Sequence, residues 1–396
     1  MIKKLVVLIL CLSGLIPAFA NDTAGTLLPT GEIEFTKQPE IILKHEALLL
    51  SYTAKVDYLF ENTSDKAINQ TIFFPIPTTP IICYECDSHA FDFRVWVNGR
   101  EVQPQLHRSI TLNGTDVTHY FDLLHVTDYT QHITFEPDTY GQDLEDAAAP
   151  LRKLPREEQL KLEKIGMLAK GCLETHPDTG KCTHNPDVYH LNPDNYQQTV
   201  SYYWQQEFPP HQTIHIRHTY LPSFTANSIG QPYAPVTPDW DYEKPHDWWQ
   251  TASYIVTTAN NWKTPITRFD LLIWGDTKAS LSAWDVQNWK ASDTRVSPHN
   301  YLLVNRKDFV PSQEILFELA SPSSHFDNPS TPDLELFRVA GTANVRATPN
   351  GKKVTLLADG AYVWAYPSQE KDWWVVLLNG ESTGFTHRQN LLPFGK

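Results

Sequence analysis

In the stretch of residues 48–77, hydrophobic and polar residues alternate from Ala54 onward. One side of an extended strand would carry Ala54, Val56, Tyr58 and Phe60. This two-residue period is typical of a strand that buries one face. Residues 62–65 have turn chemistry, and the alternation then resumes at Ile68 and continues to a Pro-Ile-Pro ending. The pattern predicts a β-hairpin with one dry face and one solvated face.

The same period recurs through most of the chain. Residues 91–97 alternate and meet Asn98-Gly99, a strong signal for a tight hairpin turn. Residues 199–220 predict two more strands, joined at a Pro-Pro corner. Residues 142–170 break the β pattern, and Pro155 is placed to begin a helix. We therefore expect an all-β protein with two β-sandwich-like units, a small helical insert between them and a third, small β module.

Changes in these patterns set the expected domain boundaries. They are a signal peptide (1–20), an N-terminal β-sandwich (21–145), a helical and cysteine-bearing insert (146–195), a second β-sandwich unit (196–325), a linker (326–335) and a C-terminal barrel (336–396). Lys3 and Lys4 precede an apolar run, and Ala18-Phe19-Ala20 is a cleavage signal of the A-x-A type. We expect cleavage after Ala20, a periplasmic or secreted location and a mature chain without a membrane span. An uncleaved anchor is the alternative.

Charge narrows the choice of partners. The net charge of the whole chain is −14, and loss of the signal peptide would remove two lysines. An acidic surface of this kind disfavours nucleic acid and anionic membranes as partners. The composition leaves the oligomeric state open.

Four cysteines remain after residue 20. In an oxidising compartment an even number predicts two disulfides, and we favour Cys83–Cys86 and Cys172–Cys182 over a crossed arrangement. The first pair also has the spacing of a thiol–disulfide exchange motif, but no amphipathic helix follows it. The second pair lies near three histidines, so a zinc site is its alternative: His176, His184 and His190. The disulfides are the favoured interpretation, without metal or cofactor.

Tryptophans supply the candidate ligand-binding residues. The loop 239–249 places Trp240, Trp248 and Trp249 among carboxylates, which suits sugar stacking or a protein hot spot. The alternative is that Trp248 and Trp249 fill a gap between sheets. Near the C-terminus, the candidates are Trp364, Trp373 and Trp374. No G-x-S-x-G, H-E-x-x-H, P-loop or dinucleotide motif appears, so no catalytic residue is predicted.

The C-terminal residues resemble the bacterial SH3 (SH3b) domain. The matching features are Asn344-Val345-Arg346, the Trp373-Trp374 pair and Gly384-Phe385-Thr386, where the family has G-W-V. The resemblance covers roughly residues 337–393. It implies a small SH3-like barrel, a fold often used to bind cell-wall peptides or other proteins.

The larger part of the chain resembles DUF4424, a family of exported bacterial proteins without an assigned function. The resemblance rests on the 56–77 stretch, on Tyr203-Trp204 and Arg217 to Pro222, and most specifically on residues 253–263, SYIVTTANNWK. It spans about residues 30–319 and implies a periplasmic or secreted location.

Three functions follow as expectations. The first is an exported, non-enzymatic binding or envelope-associated protein whose SH3b tail recognises a cell-wall peptide or an envelope protein. The second is a hydrolase of a cell-wall or extracellular polysaccharide that uses carboxylates near the 239–249 loop, with Asp247 as a candidate. The third is a structural scaffold without a ligand.

Overall fold

A computed structural model describes residues 22–28, 33–79, 81–84, 91–127, 131–135, 139–176, 179–222, 224–229, 248–275, 278–283, 295–296, 300–321, 331–378 and 382–395. Strands dominate these ranges, so the prediction of an all-β protein is confirmed. None of the helices in these ranges is long and apolar enough to cross a membrane. The predicted signal peptide lies outside the described residues.

A seven-stranded sheet, called here the central sheet, forms the middle layer of the body. In spatial order its strands are β21 (Tyr301–Phe309), β18 (Ile266–Trp274), β3 (Ile41–Leu50), β4 (Ala54–Asn62), β15 (Thr213–Tyr220), β7 (Arg94–Val97) and β8 (Arg100–Val102). Asn98 and Gly99 have φ of 49° and 78° and connect β7 to β8, which confirms the predicted tight turn.

Two other sheets belong to the body. The six-stranded sheet has the order β10 (Thr115–Asp116), β9 (Gln105–Leu112), β14 (Tyr196–Phe208), β5 (Ile68–Thr79), β1 (Thr23–Leu27) and β2 (Ile33–Phe35). The five-stranded sheet has the order β16 (Thr225–Ile229), β17 (Trp248–Tyr254), β22 (Ile315–Ser321), β19 (Lys278–Ala283) and β20 (Arg295–Val296). One apolar core joins all three sheets, because Tyr58, Phe74 and Phe317 belong to the same buried cluster.

The predicted hairpin between residues 54 and 76 is wrong in its pairing. Both strands exist, but β4 lies in the central sheet and β5 in the six-stranded sheet. The turn carries the chain across the core, so that the apolar faces of the two strands point at each other. The Pro-Pro corner likewise carries the chain from β14 in the six-stranded sheet to β15 in the central sheet. A two-residue period fits either arrangement, because it fixes which face is buried and not which strand is the neighbour.

Strands from the two predicted sandwich ranges share sheets. From the second range, β15 pairs with β4 and β14 pairs with β5. β18 runs parallel to β3 in the middle of the central sheet. Buried residues of both ranges meet in the same core, so each sheet buries its apolar face against another sheet.

Buried residues between 81 and 191 share a small core of their own, and the elements that form it, which extend beyond the predicted range 146–195, are called here the insert. Its helices are α1 (Thr118–Leu123), α2 (Tyr140–Ala147) and α3 (Arg156–Ile165), and short strands pair as β6 (Ile82–Tyr84) with β11 (Ile133–Phe135) and β12 (Leu168–Ala169) with β13 (His190–Leu191). Pro155 is the N-cap of α3, and Gly166 ends this helix at a φ of 85°. The predicted helix is therefore present.

Residues from 335 onward, called here the C-terminal module, form one sheet with its own core. Its strands are, in spatial order, β25 (Lys353–Leu357), β24 (Ala343–Arg346), β28 (Ser382–His387), β27 (Trp373–Leu378), β26 (Tyr362–Pro367), β23 (Glu335–Val339) and β29 (Leu391–Pro393). The module packs on the central sheet through a third cluster, in which Leu336 and Trp364 meet Leu49 and Leu272. It therefore covers part of the sheet face that points away from the six-stranded sheet.

Candidate functional site

Polar residues line up across the outer face of the central sheet, beside the area that the C-terminal module covers. Trp96 of β7, Arg217 of β15 and Asp57 of β4 are direct cross-strand neighbours. Residues on the same strands at odd and even positions point to opposite faces, so Val56 and Tyr58 enter the core while Lys55 and Asp57 do not share it. The alternation of the strands thus creates a charged strip.

Asp57 is the electrostatic centre of this strip. Its carboxylate accepts hydrogen bonds from Arg217 Nε at 2.7 Å and from Nη2 at 3.1 Å, and His215 Nε2 lies 2.6 Å from Oδ1. Burial by itself raises the pKa of Asp57, but the His215 hydrogen bond and the Arg217 charge outweigh it, and the pKa lies below its usual value. Asp57 is therefore an ionised carboxylate that already binds Arg217 and His215 through three contacts.

The start of the C-terminal module completes the strip. Arg217 Nη1 donates to Glu335 Oε1 at 3.1 Å, and Lys55 Nζ donates to the Leu334 carbonyl at 3.1 Å. Lys55 also lies 3.7 Å from the Glu335 carboxylate. Leu334, which lies between Asp333 and Glu335, is buried in the interface cluster. Ion pairs and apolar packing therefore hold the module in one place on the sheet.

A cleft of about 670 Å³ opens where the sheet and the module meet. Both bodies line it: Lys55, Trp96, Asn98, Gly99, His215, Arg217 and Thr219 from the sheet, and Glu335, Pro393, Phe394 and Gly395 from the module. Its side chains include cations, a carboxylate, an amide, a hydroxyl and an indole. These groups suit reversible binding of a polar small molecule or chain segment.

A second charged group closes one side of the interface. His45 Nε2 lies 2.7 Å from Asp270 Oδ2, and Arg268 Nη2 donates to Asp270 Oδ1 at 2.9 Å. The His45 ring packs edge-on against Tyr362 and Phe394 of the module. Burial lowers the pKa of His45, although Asp270 acts in the opposite direction. Burial at the interface therefore favours the neutral form of the His45 ring.

The structure places the predicted tryptophans in different environments. Trp249 is 2 % exposed and is a core residue. Trp364 is 6 % exposed and lies in the interface between the module and the central sheet. Trp373 and Trp374 are half-buried on β27, where Trp373 packs against His387 and the Arg388 guanidinium lies over Trp374. None of these four lines the cleft.

Parts of the predicted sites lie outside the described residues. They include Trp240, the side chain of Trp248 and the carboxylates of residues 239–247, so the hydrolase hypothesis has no geometry to support it. The side chain of Cys83 and the whole of Cys86 also lie outside the described residues.

The second cysteine pair is a disulfide, Cys172–Cys182, with the Cα atoms 5.7 Å apart. Both sulfurs are therefore oxidised and do not provide thiolates for the zinc alternative. His184 Nε2 lies 3.0 Å from the Gly171 carbonyl, and its ring packs against His190. Across the described part of the chain, no group of three His, Cys, Asp or Glu side chains is arranged to hold a metal.

Sequence reasoning missed the cleft residues. Lys55, Arg217 and Thr219 occupy the polar positions of two alternating strands, and such positions normally face solvent. The available signal was the density of charge on these polar faces. Glu335 gave no separate signal, because it lies at the end of a predicted linker, two residues after Asp333.

This chain is similar to a protein family and, distantly, to solved structures. A family described as "Domain of unknown function (DUF4424)" matches residues 20–251 and 238–316. No curated protein matches the chain. A solved structure of a putative nutrient binding protein from Legionella pneumophila is 13% identical, with a TM-score of 0.35, over 76% of this chain and 70% of that chain. An M1 zinc metallopeptidase from Deinococcus radiodurans is 10% identical, with a TM-score of 0.23, over 83% of this chain and 50% of that chain.

Proposed function

The chain belongs to the DUF4424 family, a family without an assigned function, and we propose that it is an exported, non-enzymatic binding protein whose ligand occupies the cleft between the central sheet and the C-terminal module. The observation that carries this proposal is the cleft itself. The central sheet and the C-terminal module belong to different cores and line one concave site together, and small-molecule sites occur preferentially at such interfaces.

An SH3b-like barrel is the proposed identity of the C-terminal module. The small sheet with its own core and the Asn344-Val345-Arg346 and Trp373-Trp374 motifs support it. Its proposed ligand is a cell-wall peptide, with an envelope protein as the alternative partner. Because the module packs tightly on the central sheet, recognition would involve the body as well as the module.

Export is the proposed route to the site of action. The Cys172–Cys182 disulfide supports it, because disulfides persist in oxidising compartments. The basic and apolar pattern of residues 3–20 supports it independently. Mass measurement of the protein recovered from the periplasm or medium would test cleavage after Ala20, and retention of residues 1–20 would contradict it.

Retention on purified sacculi tests the proposed function. Trp96→Ala alters the cleft, and Trp373→Ala is the matched control, because it removes a half-buried tryptophan that does not line the cleft. We expect residues 21–396 to be retained, Trp96→Ala to reduce retention at least 10-fold and Trp373→Ala to leave it unchanged. Unfolding midpoints of both variants show whether either has lost its fold.

The opposite results are equally informative. Loss of retention in Trp373→Ala alone would move the ligand to the surface of the module. No retention of the unaltered protein would contradict a cell-wall ligand.

A further inference from the structure

From the charges of the cleft we propose that its ligand is a short zwitterionic peptide, whose carboxylate binds near Arg217 and whose ammonium binds Glu335. This inference rests on the proposed function and names the chemical class of the ligand. It concerns the side chains that remain accessible after the internal ion pairs have formed.

The cleft carries both signs of charge in close proximity. Arg217 and Glu335 are 26 % and 23 % exposed in their side chains, and Lys55 is 17 % exposed. Asp57 is almost fully buried and saturated by Arg217 and His215, so it does not reach a ligand. Among the described residues that line the cleft, the accessible charges therefore include two cations and one carboxylate, and the exposed Asp333 carboxylate lies 3.5 Å from Lys55 Nζ.

Arg217 keeps donors for a ligand. The guanidinium has five N–H groups, and the contacts to Asp57 and Glu335 engage one at Nε, one at Nη1 and one at Nη2. Asn98 uses its side-chain oxygen to accept the backbone N–H of His215, which leaves its NH2 group as a donor at the cleft. These donors complement the oxygens of a carboxylate.

Glu335 offers an acceptor next to Arg217, with which it forms an ion pair. Its Oε1 is the atom that binds Arg217 and Lys55. Among the described residues, no hydrogen bond or ion pair involves Oε2. A ligand ammonium that binds this oxygen would extend an existing ion pair instead of burying a new charge, which keeps the desolvation cost low.

Charge complementarity favours a zwitterion over other ligands. A ligand with only negative charge is repelled by Glu335, and a ligand with only positive charge is repelled by Lys55 and Arg217. An uncharged sugar could form hydrogen bonds here, but it would gain no ion pair with these charges. The volume of about 670 Å³ lies within the range of roughly 300–1,000 Å³ that small-molecule sites occupy.

Calorimetry with residues 21–396 tests this inference. The probes are an equimolar mixture of tripeptides with both termini free, the same mixture N-acetylated, the same mixture C-amidated, and the disaccharide of N-acetylglucosamine. We expect the free tripeptides to bind and each blocked mixture to bind at least 10-fold more weakly. The disaccharide should not bind.

A variant of Glu335 tests whether this carboxylate binds the ammonium group of the ligand. Glu335→Gln should weaken binding of the free tripeptides and remove the difference in affinity between the free and N-acetylated mixtures. Glu370→Gln, at an exposed position, should change neither result. Equal affinity for free and blocked peptides, binding of the disaccharide alone, or no binding in any arm would overturn the inference. If Trp96→Ala still abolishes retention on sacculi in that case, the proposed function stands without this ligand.

Discussion

The side-chain amide of Asn62 donates a hydrogen bond of 2.8 Å to the backbone carbonyl of Phe208, although the two residues are 146 positions apart. The same NH2 group donates to the Lys66 carbonyl at 2.7 Å, and the Asn62 side-chain oxygen accepts the Ser64 N–H. Asn62 therefore joins the two places where the chain crosses the core, one after β4 and one after β14.

We expect Asn62→Ala to lower the free energy of unfolding by about 1–3 kcal/mol, because buried backbone carbonyls lose their donor. Asn69→Ala is the control, since Asn69 is exposed on β5 and its side chain is not part of this network. Urea denaturation of both variants measures the difference. Equal stability of the two variants would show that water replaces Asn62 without cost.

Gly141 on α2 is confined by a histidine from the disulfide loop. A Cβ atom at this position would lie 2.2 Å from His184 Nδ1. We expect Gly141→Ala to destabilise the insert by about 1–3 kcal/mol through overpacking. Thermal unfolding and limited proteolysis of the insert measure the effect.

A double variant separates this steric effect from a loss of helix propensity or capping. In Gly141→Ala/His184→Ala the clash is absent, so the cost of the two changes should be smaller than the sum of the single costs. Additive costs would mean that the two residues do not compete for space.

His45 should make stability depend on pH in a defined window. Its folded-state pKa lies below the ordinary value of 6.5, so the unfolded chain binds a proton more readily. The contribution of His45 is complete above about pH 6.5 and declines as the pH falls toward the folded-state pKa, with a slope of at most about 1.4 kcal/mol per pH unit. Asp57 and Asp270 have lowered pKa values and lose their contributions only in more acidic solution, as the pH falls through those values.

Unfolding free energies between pH 5 and pH 7.5 should therefore fall less steeply on acidification in His45→Gln than in the unaltered protein. The comparison of the two proteins removes the contribution of Asp22, whose pKa burial raises, so that its effect on stability is lost as the pH rises. Identical pH profiles would show that another group controls this window.

Sequence periodicity was sufficient to predict where the strands lie, but it was insufficient to predict which strands pair with each other. The positions of β4, β5, β14 and β15 follow from alternation, because burial of one face imposes a two-residue period. Their pairing depends on residues far away in the chain, and the turn after Asn62 is compatible with a hairpin or with a crossing between sheets. The local sequence favours a hairpin. The two strands instead join different sheets, because both bury their apolar faces in the core that the three sheets share.

The cleft was harder to predict for a different reason. Its wall combines Lys55, Trp96 and Arg217 from three strands with Glu335 from the module. Each is an ordinary polar-face residue by itself, and only the sheet order places them together. Aromatic content directed attention to Trp249 and Trp364, which are buried because large indoles stabilise cores as readily as they bind ligands.

The shared sheets also determine how the chain has to fold. β5 has β14 as a long antiparallel neighbour, and the residues 80–195 between them must be made before this pairing is possible. Closing such a long loop costs entropy before any contact repays it, and contacts distant in sequence slow folding. We expect a fragment that ends near residue 145 to remain unfolded, because each of its two longest strands, β3 and β5, lacks one of its neighbours, β18 and β14. The two halves acquire their native structure together or not at all.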